Sequence, residues 1–273
     1  MLLLNIGLKL TGTLKKKYLG NMLNQNFLKT KLSEGKVTIG TWSIIPSPVV
    51  TDILCSAGLD FIIIDSEHGP VNFETAQQMA MVCESRSVSP IMRVGGVNET
   101  EILKALDIGM HGIQIPNINS SDDIKNIINF SKYPPIGNRG FSPFTRAGDY
   151  SLSNATKLTD KSNLNTLVGV NIEGIEAIKN IDKILEIEHL DLVFIGLFDL
   201  SKALGIPGEV DNPKVLNYLD EITKKINDAG KYPGTIATSK EKIDLFKSMG
   251  LKYILYLVDC EVLRSGYENI IKS

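Results

Sequence analysis

Phe61-Ile62-Ile63-Ile64-Asp65-Ser66-Glu67-His68-Gly69-Pro70 decides how this chain is read. The apolar run reads as a strand buried on both faces, as in a parallel sheet. It ends abruptly in two carboxylates and a histidine, and Gly69-Pro70 then forces the chain out of the strand. In an α/β barrel that end of a strand is where chemistry is placed. Asp65 and His68 are close enough in sequence to form a carboxylate–imidazole pair. Such a pair fixes the tautomer of the imidazole and raises its basicity, as a general base requires.

Outward from this stretch, short apolar β-rich runs alternate with helical ones. Strands are predicted over 37–43, 60–65, 89–94, 112–115, 166–172, 191–195, 232–237 and 252–257. Helices are predicted over 47–57, 73–84, 98–108, 120–131, 175–185, 212–229, 239–249 and 261–271. Their boundaries carry the expected punctuation: Ser47-Pro48, Asn98, Ser120, Asn212-Pro213 and Ser239 at starts, and Gly58, Gly230 and Gly250 at stops. Strict strand–helix alternation implies a parallel sheet. Eight such units in 273 residues imply closure into a single (β/α)8 TIM barrel of the α/β class rather than an open doubly wound sheet. No glycine-rich dinucleotide or P-loop signature follows any of the strands, which weakens the open-sheet alternative further.

Composition narrows the function classes. A formal net charge of −2 favours neither nucleic acid nor an anionic membrane as a partner. No apolar run approaches the ~18 residues of a membrane span. Cys55, Cys83 and Cys260 fit no zinc spacing, and an odd count argues against a disulfide framework; they read as reduced, mostly buried thiols of a cytoplasmic protein. Met1-Leu2-Leu3-Leu4 precedes Lys9 and Lys15-Lys16-Lys17, the reverse of the charge order in a secretory signal. Met22 offers a second start, so residues 1–21 are expected to be an upstream extension outside the fold. Residues 1–35 are then extension and lead-in, and 36–273 the barrel domain.

The polar residues at the strand ends converge. His68 follows the second strand, Arg93 ends the third, Glu173 ends the fifth and Asp199 follows the sixth, so all four surround one pocket. Hard divalent cations take oxygen ligands, and Mg2+ or Mn2+ often keeps only one or two protein carboxylates. Glu173 and Asp199 suit that role; alternatively each caps the following helix, which fits Asp199 better than Glu173. Arg93 either pairs with Asp65 or Glu67, or donates to a developing oxyanion. His111 and His189 fall in helix–strand connections and read as ordinary core or surface histidines. No strand ends on a buried lysine, so a Schiff-base mechanism lacks a candidate. The irregular segment 133–163 contains Arg139, Arg146 and Tyr150 among several prolines and glycines. A loop of that length is usually functional, and it is expected to cover the barrel mouth.

Several motifs occur in a fixed order: Asp65-x-Glu67-His68-Gly69-Pro70, Arg93 after an apolar run, Gly137-x-Arg139-Gly140, Arg146-Ala147, Ile172-Glu173, Gly196-x-x-Asp199-Leu200-Ser201, Leu204-Gly205-x-Pro207-Gly208 and Pro213. As an ordered set they resemble the HpcH/HpaI family of class II pyruvate aldolases over most of the chain. The resemblance implies a TIM barrel and a divalent metal cation (Mg2+, Mn2+ or Co2+), with Glu173 and Asp199 as its ligands. The metal would chelate the carboxylate and keto oxygens of a pyruvate-like 2-oxo acid. Arg93 would stabilise the enolate oxygen, and His68 would be the base, oriented by Asp65 with Glu67 behind them. The implied reaction is reversible cleavage of a 4-hydroxy-2-oxo acid into pyruvate and an aldehyde, in a homo-oligomer that is often a hexamer with its last helix swapped between subunits. Asn171 stands where many members carry Gln, and Leu197-Phe198 where small residues or Pro are usual, so the pocket around the matching residues is altered. Two other readings stand beside this one. A citrate-lyase-like branch handles CoA thioesters, for which no dense basic cluster is seen beyond the N-terminal segment. A non-catalytic barrel acting as a binding or scaffolding protein is disfavoured by the joint presence of His68, Arg93, Glu173 and Asp199.

Overall fold

Every one of the apolar runs becomes a strand, and the strands close on themselves. The computed structural model describes residues 25–272, so the expectation for residues 1–21 lies outside the described residues. Its strands are β1 (Thr38–Ser43), β2 (Phe61–Asp65), β3 (Ser89–Arg93), β4 (Gly112–Ile115), β5 (Leu167–Ile172), β6 (Leu192–Ile195), β7 (Tyr232–Ala237) and β8 (Tyr253–Val258). They pair in parallel in sequence order, β8 returning to β1, to form a closed (β/α)8 TIM barrel. The helices are α1 (Phe27–Ser33), α2 (Pro48–Ser56), α3 (Phe73–Ser85), α4 (Glu99–Asp107), α5 (Ser121–Ser131), α6 (Ala155–Asn165), α7 (Ile175–Lys179), α8 (Ile181–Leu185), α9 (Leu197–Ala203), α10 (Pro213–Asp228), α11 (Lys240–Ser248) and α12 (Asp259–Ile271). Ser47, Asn72, Asn98, Ser120, Asn212 and Ser239 each accept a backbone N–H of the first turn, which fixes where six of these helices begin. Among the described residues no helix is long and apolar enough to cross a membrane.

The pleat explains the opening stretch. Phe61 and Ile63 belong to the cluster filling the barrel, whereas Ile62 and Ile64 belong to the cluster between barrel and helices. Both faces are covered, so the run carries no apolar–polar alternation. Asp65 continues the phase of Phe61 and Ile63, Arg93 that of Ile91, and Asn171 that of Leu167, so all three reach the barrel interior at its C-terminal mouth. At the opposite end Phe61 and Tyr253 stack with ring centroids 4.1 Å apart. Gly40 makes room for them, because a Cβ there would lie 2.4 Å from the Phe61 ring. Helix α1, capped by Asn26, closes this base and contributes Leu28 and Leu32 to the barrel interior.

Three features depart from the sequence expectation. The helix predicted over 175–185 breaks at Asn180 into α7 and α8. A short helix, α9, follows Gly196 directly. The segment 133–163 contains a 3-10 turn (Leu152–Asn154) and most of α6, whose polar sequence offers no apolar stripe to read.

That segment also does not cover the mouth. Helix α5 carries the chain from mouth to base, so the residues after it start at the base. Arg139 pairs with Asp107 at the end of α4, and Arg146 pairs with Glu84 at the end of α3. Ala147 donates its N–H to the Asp107 carbonyl. The segment therefore packs around the base, and Tyr150 is exposed there.

Candidate active site

Sheet register builds the first part of the mouth. Asp65 and Arg93 are paired residues at the ends of β2 and β3. Arg93 Nε donates to Asp65 Oδ1 at 2.8 Å and Nη2 to Oδ2 at 2.5 Å, a bidentate fork. Arg93 Nη1 stands 3.2 Å from Glu67 Oε2, and the guanidinium stacks 4.0 Å from the centre of the Trp42 ring. Arg93 thus pairs with both carboxylates. Of its five N–H donors, the fork uses two and Glu67 faces a third, leaving two.

The expected carboxylate–imidazole pair between Asp65 and His68 does not form. Asp65 is buried in the barrel wall; besides Arg93, its Oδ1 accepts the backbone N–H groups of Glu67 at 3.0 Å and His68 at 3.4 Å. The chain turns outward immediately afterwards, and His68 reaches the rim with 71 % of its side chain exposed. Asp65 therefore holds Arg93 and shapes the turn that presents His68. The carboxylate beside the imidazole is Glu67, whose Oε2 lies 3.9 Å from His68 Nε2, beyond hydrogen-bond length. Burial pushes the Glu67 carboxyl above its ordinary range, against the pull of Arg93 and His68.

Glu173 approaches from the end of β5 and Asp199 from the first turn of α9. Neither caps a helix: α7 and α9 begin on Gly174 and Gly196 with no side-chain cap bond. Instead Glu173 Oε1 accepts from Asn171 Nδ2 at 2.7 Å, and Oε2 from the backbone N–H of Asn117 at 3.2 Å. Asn171 Oδ1 accepts from Gln114 Nε2 at 2.7 Å, and Gln114 Oε1 from the Tyr253 hydroxyl at 3.0 Å. This buried thread runs from the barrel floor to Glu173. Sequence reasoning missed Gln114, Tyr253 and Asn117. The available signal was one polar residue inside each of two apolar strands, Gly112-Ile113-Gln114-Ile115 and Val168-Gly169-Val170-Asn171-Ile172. Asn117 adopts a positive φ of 57°, which Asn tolerates, and its Nδ2 also reaches Glu67 Oε1 at 3.3 Å.

These groups share one open pocket. Asp65, His68, Arg93, Asn171, Glu173 and Asp199 line it together with apolar residues, around a space of about 830 Å³ that opens to solvent. A second depression, bordered by Asn117, Asn119 and Lys202, also touches Glu173 and Asp199. Among the described residues no group of three or more His, Cys, Asp or Glu is arranged to enclose a metal ion. Two carboxylates beside open space do not suit an enclosed structural zinc site. They do fit a hard cation that completes its shell with water and substrate oxygens. Each Glu173 oxygen carries a single hydrogen bond, which leaves lone pairs for such an ion.

Comparison with known proteins agrees with this architecture. The family described as HpcH/HpaI aldolase/citrate lyase matches residues 38–253. The chain is 29 % identical to a 4-hydroxy-2-oxo-heptane-1,7-dioate aldolase of Shigella sonnei (strain Ss046), covering 90 % of this chain and 94 % of the relative. It is 30 % identical to a 5-keto-4-deoxy-D-glucarate aldolase of Shigella boydii serotype 18, covering 90 % and 95 %. The crystal structure of an HpcH/HpaI aldolase from Desulfitobacterium hafniense DCB-2 superposes with a TM-score of 0.85 at 29 % identity, covering 90 % of this chain and 95 % of that one.

Proposed function

The chain belongs to the HpcH/HpaI aldolase/citrate lyase family, and on that premise we propose that it reversibly cleaves a 4-hydroxy-2-oxo acid into pyruvate and an aldehyde, with Glu173 and Asp199 holding a divalent cation. The observation that carries this reading is the convergence of two carboxylates free of capping duty, a fixed guanidinium and a solvent-facing imidazole on one pocket. When bound there, Mg2+, Mn2+ or Co2+ supplies a Lewis acid for the oxygens of the 2-oxo acid.

The residues of the chain do the rest. Arg93, locked by Asp65, Glu67 and Trp42, offers its two remaining N–H donors to the oxygen on which charge develops. Because its position is set by the sheet, little reorganisation accompanies that charge. His68 takes the proton of the substrate 4-hydroxyl; the C3–C4 bond breaks, C4 leaves as the aldehyde carbonyl, and the electron pair passes to C3 as pyruvate enolate. Protonation of C3 gives pyruvate. In the forward aldol direction His68 removes a methyl proton from pyruvate, C3 adds to the aldehyde carbon, and the new 4-oxygen takes up a proton. The expected homo-oligomer is supported by α12, whose exposed residues include Leu263, Tyr267 and Ile271. A CoA-ester lyase has less support, since among the described residues Arg93 and Lys202 are the permanent cations lining these two depressions.

The test is solvent deuterium uptake into the pyruvate methyl group, followed by NMR with and without Mn2+ or Mg2+. Uptake that requires the metal supports the enolate half-reaction. No uptake with any of these metals overturns the reading.

A further inference from the structure

The mouth is two-sided, and the sides follow strand order. The arc β2–β5 supplies Asp65, Arg93, Asn171 and Glu173. The arc β6–β7–β8–β1 supplies Phe194, Ile236, Val258 and Trp42 to the same pocket, and α9 adds Leu197 and Phe198. Phe198 is 55 % exposed at the rim beside Asp199. A large ring left in water at a pocket edge gains free energy when an apolar group covers it.

Among the described residues, no lysine or arginine of this second arc lines the pocket. The permanent cation among the lining residues is Arg93, which already serves Asp65 and Glu67. Of the three lining carboxylates, Asp65 is matched by that guanidinium, and Glu173 and Asp199 are the pair proposed to hold the divalent cation, so no positive charge is left for the apolar arc. Two lysines lie near, and neither serves the apolar arc. Lys242 pairs with Asp211 in a separate depression bordered by Phe198 and Ile236. Lys202 borders the polar depression with Asn117 and Asn119.

Resting on the aldol reading above, we propose that the acceptor aldehyde carries an uncharged, apolar tail, which packs against Phe198, Ile236 and Val258. A distal carboxylate in that place loses its water beside hydrocarbon and meets no lysine or arginine among the described residues lining that arc. An apolar tail gains about fourfold in binding per methylene covered. The heptane-1,7-dioate and glucarate in the names of the two relatives are both dicarboxylates, so the specificity inferred here differs from what those names describe.

The experiment compares butanal with succinic semialdehyde, aldehydes of equal chain length that differ in a distal carboxylate. The full-length protein is supplied with Mn2+ and pyruvate, and kcat/KM for aldol formation is measured for each. Butanal is expected to be favoured about tenfold or more. Phe198→Lys, which places an ammonium group on the apolar arc, is expected to shrink that preference about tenfold. A metal-free readout runs alongside: Trp42, the one tryptophan of the chain, lines the pocket. Its fluorescence should respond to butyramide at lower concentration than to succinamate. Preference for succinic semialdehyde, tighter binding of succinamate, or an unchanged ratio in Phe198→Lys overturns the inference. Deuterium uptake into pyruvate without any reaction of butanal also overturns it while leaving the aldol reading standing; absence of uptake removes both.

Discussion

The two ends of the barrel carry the same kinds of side chain and employ them differently. At the base, Glu84 accepts from Arg146 and lies 3.2 Å from His111 Nε2, while His111 Nδ1 meets Ser89 Oγ at 3.0 Å. Arg139 pairs with Asp107 and stacks on Tyr133 at 4.7 Å, and the buried Lys132 ammonium donates to the carbonyls of Asn163 and Thr166. Apart from Arg139 Nε, these groups are spent on one another. At the mouth, Arg93 retains two donors, Glu67 Oε2 has the ion pair with Arg93 but no hydrogen bond among the described residues, and His68 and Asp199 face solvent. Saturated charge holds a structure together; unsaturated charge, held in place by saturated neighbours, is available to a ligand. In a barrel of this kind the end at which a residue lies says more about its work than its type does.

This contrast can be broken most sharply at the mouth. Glu173→Gln and Asp199→Asn should each lower kcat/KM by about a thousandfold or more and abolish divalent-cation binding in calorimetry, with the melting temperature nearly unchanged. A large drop in melting temperature with activity intact would move these carboxylates into the structural class. His68→Ala should slow pyruvate methyl exchange by about a hundredfold while cation affinity persists; exchange at the wild-type rate would remove His68 from the chemistry.

At the base the signature should invert. Burial alone would raise the Glu84 carboxyl, but the hydrogen bonds from His111 and Arg146 outweigh it and hold the group below its ordinary value. Glu84→Gln leaves the Arg146 charge buried and poorly matched, and should cost about 3 kcal/mol in urea unfolding with little change in kcat/KM. The smallest effect is a pH slope. Burial, with Lys29 alongside, lowers the Lys132 amine from 10.5 to about 8. Between those values the unfolded chain binds the proton more tightly than the folded one, so this group makes stability rise with pH, and below about 8 its contribution is flat. Lys132→Met should flatten the rise between pH 8 and 10 by about 1–2 kcal/mol; an identical slope in both proteins would refute the assignment.

Much of this was legible in the sequence because strand ends are legible. Once eight apolar runs alternate with helices, the residues that terminate them must meet, and His68, Arg93, Glu173 and Asp199 do line one pocket. The Asp65–His68 pair does not form, while the pairing of Arg93 with Asp65 and Glu67, one of the two roles the sequence offers it, does. Asp65 and His68 lie three residues apart along a chain that is turning away, whereas Asp65 and Arg93 face each other across a ladder. Neighbours on adjacent strands are closer than neighbours past a strand end, and register is not written in either strand alone. The segment 133–163 was misplaced for a different reason. It connects a helix to the next strand, which puts it at the base, whereas its length points to a functional loop over the mouth. Topology outweighs length. The thread from Tyr253 to Glu173 is hidden because Tyr253, Gln114 and Asn171 are single polar residues on three different strands.

That thread has a consequence for how the protein becomes active. Tyr253, Gln114 and Asn171 sit on β8, β4 and β5, so their side chains form a gauge laid across the inside of the cylinder. A barrel closed one residue out of step turns Gln114 and Asn171 toward the helices, without their partners, at about 1–3 kcal/mol for each stranded group. The same slip leaves Glu173 without its guide. Correct closure and a correctly aimed carboxylate therefore arrive together, and a misassembled barrel is silent rather than promiscuous.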